Sequence, residues 1–174
     1  FIIACFDDTG LDAVRAMTNK PVLGIGQSAC YIASMLSETF GVITTLDISV
    51  PILKNNIYKM GFSKRCTSVT SVEVPVLDLE KQSKLAIGKI RTEISRLISD
   101  KKVESIVLGC AGMVEFANSL EKEFSIPIIE GVSAATVLSE GIVKMNKSTS
   151  KIGGYAFPRK KEYIGEMKKF EFKK

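Results

Sequence analysis

Short apolar, β-branched runs alternate along this chain with longer segments whose apolar residues return every three or four positions. The short runs are the mark of buried strands and the longer period that of amphipathic helices. Strands are predicted at residues 1–5, 22–25, 41–45, 68–74, 105–109 and 126–129. The clearest helix is predicted over residues 78–99, where Leu79, Leu85, Ala86, Ile90, Ile94, Leu97 and Ile98 fall mostly on one face. Its polar face carries Lys84, Lys89, Arg91 and Glu93. Strands that alternate with helices predict an α/β fold with mainly parallel sheets.

Laid on itself at an offset of 105, the chain pairs Cys5 with Cys110, Gly26 with Gly131, Ser28 with Ser133 and Ala29 with Ala134. In both halves an apolar strand ends in a cysteine, a helix follows, and a second strand runs into a Gly-x-Ser-Ala turn. Two similar lobes are therefore expected, each with one cysteine. Gly26 and Gly131 are read as the crossings between them, so that residues 1–26 plus 132–174 form a discontinuous first lobe and 27–131 the second.

In parallel α/β sheets ligands bind beyond the carboxyl ends of strands, which is where Cys5 and Cys110 stand. Residues 6–10 turn the chain into a helix beginning near Leu11, and Ala111 and Gly112 let a ligand approach backbone N–H groups. Those groups are expected to favour a thiolate and lower its pKa. A single strand-end cysteine is more often core material. A pair at equivalent points of two lobes is what inversion of a carbon acid requires: one thiolate removes a proton from one face and the other thiol returns one from behind. Cys30, in an apolar helix, and Cys66, in a polar turn, are assigned to structure. Thr44 and Thr45 end a third strand and offer donors to a polar ring, while Asp7 and Asp8 orient the loop or touch ligand and are turn formers first.

Of 174 residues 45% are hydrophobic, enough for a substantial core. The formal charge is +5, but residues 144–174 carry +7 and the rest −2, so the basicity is local. With neither an arginine cluster nor a recognition motif, this stretch is read as a solvated face. No run approaches the roughly 20 apolar residues of a membrane helix. The four cysteines match no zinc spacing and there is no histidine, so no metal site is expected. Free thiols suggest a reducing compartment, and the cytoplasm is the expected location. The expected partners are a small-molecule substrate and further copies of the chain in a homo-oligomer, with neither nucleic acid nor membrane.

The stretches Ala4-Cys5-Phe6-Asp7-Asp8-Thr9-Gly10-Leu11-Asp12, Val42-Ile43-Thr44-Thr45-Leu46 and Leu108-Gly109-Cys110-Ala111-Gly112-Met113 resemble the hydantoin/allantoin branch of the aspartate/glutamate racemase superfamily. Pro75-Val76-Leu77, Ile128-Ile129-Glu130-Gly131-Val132 and Gly154-Tyr155-Ala156-Phe157-Pro158 extend the resemblance over nearly the whole chain. It implies two Rossmann-like lobes facing each other across a cleft, with Cys5 and Cys110 as the acid/base pair and no cofactor. Phe6, Asp7, Thr44, Thr45, Ala111 and Gly112 are the expected substrate contacts. Family members begin about seventy residues earlier, so the first lobe is expected to lack N-terminal residues. Phe6-Asp7 and Ala111-Gly112 stand where aspartate and glutamate racemases carry other residues, which points to a 5-substituted hydantoin or allantoin.

Three rivals compete with this reading. Gly24-Ile25-Gly26-Gln27-Ser28-Ala29 follows a strand and reads G-x-G-x-x-A, with Asp47 placed 21 residues past Gly26, as in NAD-binding Rossmann domains. A two-lobed binding protein would use the same cleft without chemistry. Superfamily decarboxylases and other carbon-acid isomerases would keep the fold and change the reaction.

Overall fold

The computed structural model describes residues 1–81, 83–159 and 161–171, and strands stand at all six predicted places. β1 (Ile2–Ile3) and β2 (Leu23–Gly24) pair in parallel, with α1 (Leu11–Met17) as the crossover between them. α2 (Ile25–Leu36) then leads to a second sheet made of β3 (Phe40–Thr44), β4 (Cys66–Ser71), β5 (Ser105–Leu108) and β6 (Ile128–Glu130). All its pairings are parallel and its order is β4-β3-β5-β6. The crossovers are α3 (Val50–Lys59), α4 (Val76–Lys81) with α5 (Ser83–Lys101), and α6 (Ala117–Phe124). The helix predicted over 78–99 is α4 and α5, with Gln82 outside the described residues. α7 (Gly131–Lys144) follows β6 directly.

β3 and β5 are buried at every position, as parallel strands covered on both faces must be. Because successive side chains point to opposite faces, Val42, Val107 and Ile129 pack towards α2, α3 and α7, while Ile43, Ile106, Leu108 and Ile128 pack towards α5 and α6. Along α5 the buried stripe is Ala86, Ile90, Ile94 and Leu97. Leu85, expected on that stripe, is 54% exposed. It lies one residue, about 100° of helix rotation, away from Ala86.

α2 and α7 lie side by side, and each touches strands of both sheets. They approach most closely where α7 begins: a Cβ on Gly131 would stand 2.5 Å from the Ile25 carbonyl oxygen. In the larger sheet the chain runs outward from β3 to β4, then returns to β5 and runs outward again to β6. The loops leaving β3 and β5 therefore diverge, which opens a crevice at their carboxyl ends.

Candidate active site

Cys110 leaves β5 at that crevice, beside Thr44 and Thr45 at the end of β3. The Gly109 N–H donates to the Ile43 carbonyl at 2.7 Å, and the Thr44 hydroxyl donates to the Gly109 carbonyl at 3.1 Å. Thr44 is 1% exposed and Thr45 is buried, so the Thr44 proton already serves the Cys110 loop and is not free for a ligand. After Cys110 the chain turns into a 3-10 helix, Ala111–Phe116. The backbone N–H of Gly112 acts on the Cys110 sulfur to favour its thiolate. A Cβ at Gly112 would lie 2.9 Å from a Leu79 methyl carbon, so a larger residue here would displace Leu79. Burial nevertheless pushes the Cys110 thiol up, and the charges of Cys5 and Asp7 push it further. The expected lowering is therefore reversed, because one N–H does not replace the water lost on burial.

Cys5, just beyond β1, is exposed. The turn after it closes through Asp8 N–H to the Cys5 carbonyl at 2.9 Å and Leu11 N–H to the Asp8 carbonyl at 3.1 Å. Asp8 takes a left-handed conformation, φ 54°, which Asp tolerates better than most residues. The Phe6 side chain is buried in the core between α2 and α3, so any contact it offers a ligand comes from its backbone. Asp7 is half-buried and its carboxyl is raised by that burial; Asn56 of α3 donates to its carbonyl at 2.8 Å. The fold thus brings Cys5, Asp7 and Cys110, from two different sheets, within electrostatic reach of one another. Ala111 and Gly112 join them as the residues that follow Cys110.

The other two thiols stand apart from this group. Cys30 is buried in α2 and burial pushes its thiol up. Cys66 is the first residue of β4, not part of a turn as expected, and burial pushes it up to about 12. Among the described residues no group of three or more His, Cys, Asp and Glu could hold a metal ion, and no helix is long and apolar enough to cross a membrane.

The glycine signature has a different role from the one its spacing suggests. β2 ends at Gly24 and β3 belongs to the other sheet, so Gly24 to Asp47 is not a βαβ unit. The first turn of α2, where a pyrophosphate would bind, holds the Asp8 carboxylate: Oδ1 accepts from Gly26 N–H at 3.1 Å and Oδ2 from Gln27 N–H at 2.6 Å. A Cβ on Gly24 would fall 2.0 Å from Asp8 Oδ1, and one on Gly26 would fall 2.1 Å from the Phe6 carbonyl oxygen. The glycines make room for the Cys5 loop.

Sequence reasoning missed Asn56 and Arg15. Arg15 is mostly buried and donates to the Val22 carbonyl at 3.1 Å, to Gln27 at 2.6 Å and to the Tyr155 hydroxyl at 3.3 Å. Lys151 bonds the carbonyls of Arg15 and Tyr155 and lies over the Phe157 ring, so the start of the basic stretch is tied to α1 and is not merely solvated. No local signal marks these side chains, because each is a polar residue with partners distant in sequence.

Two parallel sheets, with a cysteine just beyond the carboxyl end of a strand from each, define an α/β protein with its candidate site where the two sheets meet. Residues 1–138 match the family described as Asp/Glu/Hydantoin racemase. The chain is 43% identical over 170 residues to the hydantoin racemase of Pseudomonas sp. (strain NS671), covering 98% of this chain and 68% of that protein. It is 40% identical over 165 residues to the hydantoin racemase of Rhizobium meliloti, covering 95% and 68%. The solved allantoin racemase from Klebsiella pneumoniae superposes with a TM-score of 0.91 at 36% identity, over 98% of this chain and 69% of that one. The chain belongs to the Asp/Glu/hydantoin racemase family, and it is an isomerase of the racemase class.

Proposed function

We propose that this racemase inverts the stereocentre of a 5-substituted hydantoin or of allantoin, with Cys5 and Cys110 as the two opposed acid/base groups. The observation that carries the reading is the approach of two strand-end thiols from separate sheets, close enough that the charge of one raises the pKa of the other. The names of the similar proteins support the substrate class.

In each turnover one cysteine enters as thiolate and removes the proton at C5, and the electron pair passes into the adjacent carbonyl. The other cysteine, as thiol, protonates the planar intermediate from the opposite face. Backbone N–H groups near Phe6 and Ala111 stabilise the enolate-like charge, Asp7 and Gly112 lie beside the ring, and Thr44 holds the Cys110 loop from behind. The proton balance closes within the pair, and their titrations are coupled. No step is assigned to a metal or cofactor.

The two lobes are residues 1–26 with 132–174, and residues 27–131. α2 and α7, which touch both sheets, form the layer on which they move. The reading includes a reducing, cytoplasmic setting that keeps the thiols free, and a homo-oligomer.

Single-enantiomer allantoin, alkyl and aryl hydantoins and free amino acids, followed by circular dichroism with product mass, test the substrate. Racemisation of a hydantoin or allantoin without change of mass is the expected result, and turnover of aspartate or glutamate alone overturns it. Cys5→Ser and Cys110→Ser are each expected to lower kcat at least a hundredfold, while Cys66→Ser keeps it. Full activity in either of the first two variants refutes the two-thiol mechanism.

A further inference from the structure

Asp8 lines a cavity of about 370 Å³ among α1, α2 and α3. Its backbone closes the turn that carries Cys5, and its side chain reaches across to the first turn of α2, the helix shared by both sheets. One residue thus joins the Cys5 loop to the helix that touches both sheets.

We propose that Asp8 is a positioning residue for racemisation: its ionised carboxylate fastens the Cys5 loop to the first turn of α2 and so sets where the Cys5 sulfur stands. This rests on the two-thiol reading above. The bonding demands the ionised form. Two N–H donors, Gly26 and Gln27, face two carboxylate oxygens. Protonation makes one of those oxygens a hydroxyl, a much poorer acceptor, and an amide sets an NH2 donor against one of the N–H groups. The neighbouring residues are held differently, Phe6 by packing and Asp7 by a single bond from Asn56 to its carbonyl. The glycines at 24 and 26 let the loop lie this close, since a Cβ would fall 2.0 Å from Asp8 Oδ1 at the first and 2.1 Å from the Phe6 carbonyl oxygen at the second.

Burial pushes the Asp8 carboxyl up to about 6, against the opposing effects of the two N–H groups and Arg15; Asp7 adds to the rise. The other titratable groups around it are Asp12 of α1, Cys30 and Tyr31 of α2, Lys59 of α3 and Tyr155. The sign follows from linkage. A carboxyl whose folded pKa is raised binds its proton more tightly in the folded state, so its contribution to stability falls as pH rises between 3.8 and about 6. Protonating Asp8 therefore favours the folded state while it breaks the tether. Activity is lost as pH falls through about 6, although this residue stabilises the fold over the same range. A merely structural role would move the two together.

The test uses the full chain and an enantiopure hydantoin or allantoin that the wild type turns over. In the wild type, log kcat/KM is expected to steepen by one further proton near pH 6 on the acid limb. The amide resonances of Gly26 and Gln27 are expected to titrate with the same midpoint. Asp8→Asn is expected to lower kcat ten- to a hundredfold, consistent with misplacement of a reacting group by about 1 Å, with KM within threefold and thermal stability at pH 8 no lower than wild type. Its acid limb should lack the added inflection. A wild-type profile without the inflection, or an Asp8→Asn variant within threefold of wild-type kcat, overturns the proposal. The wild-type profile and amide titration need no variant, so a misfolded Asp8→Asn leaves the test intact. Cys5→Ser, assayed alongside, separates the two ideas: if it is inactive while Asp8→Asn is fully active, the tether fails and the racemase mechanism stands.

Discussion

Thr44 shows how much of a site residue's chemistry is settled by its neighbours. A hydroxyl at the end of a parallel strand is well placed for a ligand, yet here its proton goes to the Gly109 carbonyl, one residue before Cys110. Replacing it with the near-isosteric valine leaves that buried carbonyl without this donor, which costs about 1–3 kcal/mol. Thr44→Val is therefore expected to lower stability by that amount in chemical denaturation, whereas Thr44→Ser, which keeps the hydroxyl, recovers most of it. Equal losses in both variants would show that packing of the methyl, not the hydrogen bond, is what matters. Cys110 follows the same logic. Its backbone donor was legible from the small residues that follow it, but the net rise in its pKa depends on burial by Leu79 and the surrounding core, which sequence spacing does not report.

At the scale of elements, the contact between α2 and α7 carries the most consequence. Two helices can begin side by side between two sheets only if their first turns are narrow, and Gly131 meets the Ile25 backbone with no space for a side chain. Gly131→Ala requires carbonyl and Cβ to separate from 2.5 Å, and overpacking of this kind costs about 1–3 kcal/mol. Gly141, on the same helix, has open space where a Cβ would go. Gly141→Ala is expected to be neutral or to gain up to about 1 kcal/mol from helix propensity. Urea unfolding of the pair separates contact from propensity, and equal effects at both positions would remove the close approach as the reason for glycine at 131.

At the scale of the whole molecule, the proposed mechanism requires the two sheets to present Cys5 and Cys110 to one ligand. A planar ligand bound between them is expected to shield both thiols from iodoacetamide with the same concentration dependence, read by peptide mass. Shielding of Cys110 alone would place the ligand in the β3/β5 crevice without the Cys5 loop and would count against a shared cleft. Cys30, buried in α2, is expected to stay unmodified in the folded protein with or without ligand.

What the sequence determined by itself was local or repeated. Periods of two and of three to four positions report which faces are buried, so six strands and the long helical segment could be placed from the chain alone. The recurrence of a strand-end cysteine at an offset of 105 singled out Cys5 and Cys110. Local grammar also misled, because Gly24-Ile25-Gly26 reads as a phosphate loop until a carboxylate 18 residues earlier than Gly26 is found in the place of the phosphate. Only the tertiary structure decided that Asp8 caps α2, that Asn56 holds the Asp7 carbonyl, that Arg15 joins α1 to Gln27 and Tyr155, and that Thr44 serves Gly109. The reason is physical: hydrophobic periodicity is written into neighbouring residues, whereas a hydrogen bond between distant side chains depends on where the packed layers come to rest, and burial, not spacing, sets the direction of a pKa shift.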